Sequence, residues 1–230
     1  MRHVTIVMSS MLLACGLAQA QSQGAPAAPA QNAPAANATD SQSPTEVVQT
    51  AAQGMLGELD KNRDAYRRDP AKVGQLVDKY LLPHFDTEYA ARGVLGQYWR
   101  NATPDQRQRF VDAFYHSLLS NYGSALTDFT SDRLKILPSS VKPDALTTTV
   151  RTEVKRGNGD RVSVNYYMRK TPQGWKAWDV VIDGISYVNS YRTDFGEQIE
   201  QQGIESVIKR LQSGEKPGAI SKQTSGGKSS

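Results

Sequence analysis

The sequence predicts an α+β domain, in which an antiparallel β-meander of about four strands is packed on one face by helices that precede and follow it. Three observations carry this. Apolar residues recur at helical spacing from residue 44 to about residue 129, the spacing becomes two between about 130 and 182, and helical spacing returns after Ser186. Grouping of this kind, unlike strict alternation of strand and helix, puts helices against one sheet face.

Each element has a local cause. Ser43-Pro44-Thr45-Glu46 is a capping box with proline at the first helical position, and Val48, Ala52, Met55 and Leu59 follow on one face, so a helix should run to about Tyr66. Asp69-Pro70 opens a second helix, carried by Val73, Leu76, Val77 and Tyr80 and stopped by Pro83. Asp86 caps a short third one, through Tyr89 to Leu95. Thr103-Pro104-Asp105-Gln106 is a second capping box and begins the longest helix, to about Leu126. Beyond Thr130, Leu146, Thr148, Val150, Thr152 and Val154 share one strand side, and Val162, Val164, Tyr166 and Met168 share another. Gly157-Asn158-Gly159 joins those strands, and Thr171-Pro172-Gln173-Gly174 leads into a third, Trp175 to Asp183. "RLKIL" before Pro138 supplies a fourth. Ser186 caps a helix marked by Tyr187, Tyr191, Phe195 and Ile199, and Gly203 separates it from a last one marked by Ile204, Val207, Ile208 and Leu211.

The ends read differently from the middle. Arg2, an apolar run from Val4 to Leu17 and Ala18-Gln19-Ala20 form a secretory signal cleaved after Ala20. Leu12-Leu13-Ala14-Cys15 offers an alternative, lipoprotein-like cleavage box that would leave Cys15 lipidated. Residues 21–43 form an Ala/Pro-rich leader and residues 213–230 a tail; neither holds enough large apolar residues to offset ordering entropy. The folded domain is thus residues 44–212. With 27 basic and 23 acidic residues the chain carries +4, and loss of Arg2 leaves 26 against 23, or +3. So mild a charge on an exported protein argues against a nucleic-acid partner. Removal of Cys15, the one cysteine, excludes disulfides and thiolate chemistry.

Candidate catalytic groups do not assemble. Asp179 and Asp183 share a strand side but lie about 13 Å apart at ~3.3 Å per residue, and paired hydrolytic carboxylates sit about 5 to 9.5 Å apart. Hydrogen bonding to turn and strand-end amides suits them better. Gly184-Ile185-Ser186-Tyr187-Val188 resembles a nucleophile elbow, but Val188 stands where the closing glycine belongs. His116 is expected to pair with Asp112 one turn before it, and His84 to sit as a cation at a helix end. Two lone histidines make no metal site.

Apolar surface, in contrast, is in excess. On the long helix Phe110, Val111, Phe114, Tyr115, Leu118, Leu119, Tyr122, Ala125, Leu126 and Phe129 span an arc of about 180°, where a surface helix needs little more than about 100°. Either the helix is wedged between two apolar layers, or part of the arc lines a cavity. In the third long strand Trp178, Val180 and Ile182 form one apolar side, and Trp175, Ala177 and Val181 the other. A cavity of this kind suits an aliphatic ligand. At ~0.8 kcal/mol per methylene, two acyl chains represent roughly 20 kcal/mol of transfer free energy that a carrier must nearly match.

The order Trp99, Thr103-Pro104-Asp105-Gln106-Arg107, Phe110, Leu118, Asn121-Tyr122, Leu126, Leu137-Pro138, Tyr166, Gly174-Trp175-Lys176, Asp179-Val180, Asp183-Gly184-Ile185-Ser186, Tyr191-Arg192, Phe195, Gly203 and Ile208 resembles the MlaC family, also called the toluene-tolerance auxiliary proteins. Tyr187 departs from the aliphatic residue expected beside the turn. The resemblance implies an NTF2-like sheet and a periplasmic phospholipid carrier, part of an ABC transport system that maintains outer-membrane lipid asymmetry. It further implies two membrane partners: an inner-membrane ABC transporter complex with MCE domains and an outer-membrane lipoprotein/porin complex. The chain would act as a monomer, without catalysis and without a cofactor, its bound phospholipid being cargo. The expected lining is Val150, Val162, Val164, Tyr166, Trp178, Val180 and Ile182 from strands, with Phe110, Phe114 and Leu118 from the long helix; each suits a plain core equally. Two rival readings stand beside this one: an NTF2-like hydrolase or isomerase using Asp183 with His84, and a structural adaptor that binds no lipid.

Overall fold

Ser43 caps the first helix as its capping box requires. Its Oγ accepts from the Glu46 amide at 3.3 Å, and the Glu46 carboxylate accepts from the Ser43 amide at 2.7 Å. The structure, a computed structural model, describes residues 42–156 and 159–214. The expected signal segment with Cys15, the leader up to residue 41, Gly157-Asn158 of the hairpin turn, and the tail from residue 215 lie outside the described residues.

The first helix, α1 (Pro44–Lys61), stops at Asn62, whose φ of −139° is not helical, before the expected end at Tyr66. The break is tied to the far end of the long helix. The Arg63 guanidinium donates to the Thr127 carbonyl, and Asp60 Oδ2 accepts from Ser131 Oγ at 2.7 Å. A separate short helix, α2 (Arg63–Arg68), buries nothing; α3 (Pro70–Tyr80) then leads into a 3-10 turn at Leu82–His84. Helices α1 and α3 pass so closely at Gly54 that a Cβ there would lie 2.5 Å from the Tyr80 ring. A larger residue there would force the Tyr80 ring to shift.

Asp86 caps α4 (Thr87–Leu95) by accepting from the Tyr89 amide at 3.0 Å, and one unforeseen turn, α5 (Tyr98–Asn101), follows. The long helix is α6 (Pro104–Leu126), opened by the Thr103–Gln106 box. The sheet has five strands in sequence order, all antiparallel neighbours: β1 (Leu134–Ile136), β2 (Thr147–Lys155), β3 (Arg161–Thr171), β4 (Gly174–Ile182) and β5 (Ile185–Ser186). The fifth, only two residues long, was not expected. Two helices close the domain, α7 (Tyr187–Gln202) and α8 (Ile204–Gln212), separated at Gly203 with φ +78°.

The register sets two faces. Val150 pairs with Tyr166, Val154 with Val162, and Tyr166 with Val180, which gives the inner face the apolar side expected for β2 and β3. On β4 the alternation is broken. Tyr167 pairs with Asp179 but Met168 pairs with Ala177, so Trp178 is an extra residue, a β-bulge. Ala177 and Val180 therefore share the inner face, and Trp178 turns outward to meet Tyr89 and Tyr167. The expected grouping of Trp178 with Val180 and Ile182 is thus corrected, because a strict period of two does not survive the inserted residue. Helix α1 packs on the inner face against β2 and β4, α4 touches β4, and the start of α7 covers the outer-face residues Asp179, only 2 % exposed, and Val181.

Helix α6 lies between two apolar layers. Phe110, Ala113 and Phe114 join α4, α7 and α8 in the largest core cluster, while Tyr115, Leu119 and Leu126 pack towards α1 and α3.

Candidate functional site

Between the inner sheet face and the helices lies a cavity of about 290 Å³. Its walls come from α1 (Val47, Val48, Ala51, Ala52), the stretch from α3 into α4 (Val77, Leu81, Leu82, His84, Phe85, Thr87, Ala90), α6 (Val111 to Leu126) and the sheet (Tyr166, Met168, Ala177, Val180). Small residues leave the space open: Ala51, Ala52, Ala90, Gly123 and Ala177 stand where larger side chains would fill it. No carboxylate, lysine or arginine is among the wall residues. Two of the three tyrosine hydroxyls on the wall are engaged: Tyr115 donates to Asp78, and Tyr122 accepts from Tyr191 at 3.2 Å.

The ionisable groups keep the lining neutral. Burial first, then the nearby Lys176 charge, lowers the His84 pKa below 6.5, so this residue is a neutral wall group and not the helix-end cation expected. Burial also pushes the Tyr166 hydroxyl above its ordinary value. Tyr166 lies deep in the protein yet keeps accessible surface, and that surface is the cavity wall.

Of the expected lining, the cavity brings together Phe114, Leu118, Tyr166 and Val180. Phe110 and Val150 are fully buried in packed core, the one against α7 and α8 and the other beneath α1. Val162, Val164 and Ile182 pack with Leu134 and Phe129 near the β1 edge, outside the wall. Trp178 is on the other face. The sequence did not single out Val47, Val48 and Ala51 of α1, or Leu82 and Phe85 of the 3-10 turn. Their apolar spacing would be the same for a packed core, and it carries no sign of a void.

The catalytic alternatives find other roles. Asp179 accepts from Ser186 Oγ at 2.6 Å and from the Val188 amide at 3.0 Å, and Ser186 accepts from the Asn189 amide at 3.1 Å. These bonds fix β4, β5 and the start of α7 together. Asp183, with φ +48°, accepts from the Ser163 amide at 3.0 Å. It ends β4 about 20 Å of strand away from Ala177, beside which Phe85 bridges, so it is not brought to His84. Asp112 accepts from Gln108 rather than from His116, contrary to the expected pair. No group of His, Cys, Asp and Glu able to hold a metal is found among the described residues.

A profile of the family described as MlaC protein matches residues 49–213, most of the chain. The chain belongs to the MlaC family. Among its relatives, the toluene tolerance protein ttg2D of Pseudomonas putida is 28 % identical over 164 residues, covering 71 % of this chain and 76 % of that protein. The intermembrane phospholipid transport system binding protein MlaC of Haemophilus influenzae is 27 % identical over 173 residues, covering 74 % and 81 %. A solved structure of the phospholipid-binding protein from Ralstonia solanacearum, in complex with a phospholipid, superposes with a TM-score of 0.69 at 28 % identity, covering 74 % of this chain and 95 % of that one. The α+β fold and the family resemblance read from the sequence therefore stand.

Proposed function

We propose that this MlaC-family chain is a periplasmic phospholipid carrier. It takes acyl chains into the apolar cavity and moves lipid between an outer-membrane lipoprotein/porin complex and an inner-membrane ABC transporter bearing MCE domains, and so maintains lipid asymmetry. In this reading residues 1–20 are a cleaved signal, 21–43 a leader, 44–212 the lipid-binding domain and 213–230 a tail. No helix among the described residues is long and apolar enough to cross a membrane.

The carrying observation is the uncharged hollow whose wall hydroxyls are largely turned to protein partners. Such a space rewards methylene groups and nothing that must be hydrated. It supplies no paired acid and base, which favours carriage over hydrolysis. Its volume lies near the lower end of ligand sites, about 300 to 1,000 Å³, so whole acyl chains enter as the α1–α3 layer moves out from the sheet. The relatives' printed descriptions as phospholipid binding and transport proteins support the same reading.

Organic extraction of the protein purified without detergent from its host, followed by mass spectrometry, tests it. Phospholipid should be recovered from the wild type and lost from Val180→Glu, which places a carboxylate on the wall, with the circular dichroism spectrum retained. A wild-type extract free of phospholipid would reject the carrier.

A further inference from the structure

The outer face of the sheet carries a chemistry that the cavity does not use. The register places Lys135, Arg151, Lys155, Arg161, Arg169 and Lys176 on this face, interleaved with Thr149, Asn165 and Tyr167. Arg161 pairs with Glu153 at 3.1 Å and Arg169 with Asp86. Lys135, Arg151, Lys155 and Lys176 have no carboxylate partner among the described residues, so the face retains an excess of positive charge.

Apolar exposure gathers at one end of the same face. The exposed large hydrophobic residues among those described are Leu146 at 72 %, Tyr89 at 39 % and Tyr167 at 36 %. The two tyrosines lie together. Tyr167 pairs with Thr149, and Tyr89 and Tyr167 both meet Trp178, whereas Leu146, whose carbonyl accepts from the Lys170 amide at 2.9 Å three residues along the ladder, falls on the Val150 side. The Arg169 guanidinium lies 4.4 Å from the Tyr89 ring centroid. Met168 and Ala177, the immediate chain neighbours of this cluster, face the cavity from the other side of the sheet.

We propose that this outer sheet face docks on a bilayer of anionic phospholipid headgroups, with Tyr89 and Tyr167 at the headgroup level and the unpaired cations over the phosphates. The proposal rests on the carrier reading and adds where the carrier meets its lipid. Tyrosine and tryptophan favour the interface of membrane and water, and basic side chains gain from an anionic surface. A protein partner fits less well. The centres of protein interfaces are depleted in lysine and built around desolvated anchors, whereas this face spreads lysine and arginine over an open ladder.

Vesicle co-sedimentation of the purified protein tests the proposal, using phosphatidylcholine vesicles with and without 30 mol%, roughly, of phosphatidylglycerol. Binding should require the anionic lipid and fall with added salt. It should weaken about five-fold or more per cation reversed in Arg151→Glu and Lys135→Glu. These residues are exposed, so co-purified phospholipid and thermal stability should match the wild type. Equal binding to neutral vesicles, or unchanged binding by Arg151→Glu with Lys135→Glu, overturns the docking face. A wild type that carries phospholipid but ignores anionic vesicles also overturns it, in favour of an acidic protein surface, and leaves the carrier intact. A wild type without phospholipid rejects the carrier instead.

Discussion

On one side of α6, Phe110 meets Phe195 at 5.9 Å between ring centroids and Phe114 meets Tyr191 at 5.1 Å, both edge to face. On the other side Val111, Leu118, Leu119 and Tyr122 keep free surface and look into a void. Hydrophobicity does not distinguish these sides; geometry does. These four rings from α6 and α7 interlock, with only Phe114 of them reaching the cavity, while the opposite wall sets alanines and a glycine against aliphatic side chains. One helix can thus be anchored on a solid half while its other half borders a space that must change shape.

The largest effect should come from breaking the solid half. Phe195→Ala removes a fully buried ring and should cost about 3–5 kcal/mol of unfolding free energy in urea titration. A cost below about 1 kcal/mol would mean that this half is not the anchor. Next comes the link between the halves. Asp179→Ala leaves the Val188 amide and Ser186 without their carboxylate and should cost about 1–3 kcal/mol by the same measurement.

Filling the hollow half should have the opposite sign. Ala51→Leu, on the α1 wall, should raise stability by about 0.5–2 kcal/mol while lowering co-purified phospholipid. Destabilisation like that of Phe195→Ala would show the wall to be as tightly packed as the ring cluster. The smallest effect concerns pH. His84 has a folded-state pKa below its ordinary 6.5, so its contribution is complete above pH 6.5 and is lost as pH falls through the lowered value, where the unfolded chain already binds the proton. Thermal melts below pH 6.5 should show a decline that His84→Leu lessens.

Local rules in the sequence reached much of this. The capping boxes at Ser43 and Thr103, the caps at Asp86 and Ser186, and the separation at Gly203 all depend on neighbours three or four residues away, and they appear where the spacing placed them. The wide arc of α6 left two alternatives, a wedge between layers or a cavity wall, and the structure shows both at once. What escaped depends on distant partners. The stop at Asn62 goes with Asp60 and Arg63 reaching across to Ser131 and Thr127, and β5 exists because Ser186 meets Val181. The bulge at Trp178 is a matter of register with β3, invisible within β4 alone. His84 looked like a surface cation because nothing near it in sequence announces the cavity behind it.

The close crossing at Gly54 bears on how the hollow widens. Where a methyl group would already press on the Tyr80 ring, the two crossing helices can draw no closer together. Extra volume has to come from outward displacement, and the helix stop at Asn62 and the 3-10 turn after Tyr80 are where the two helices end.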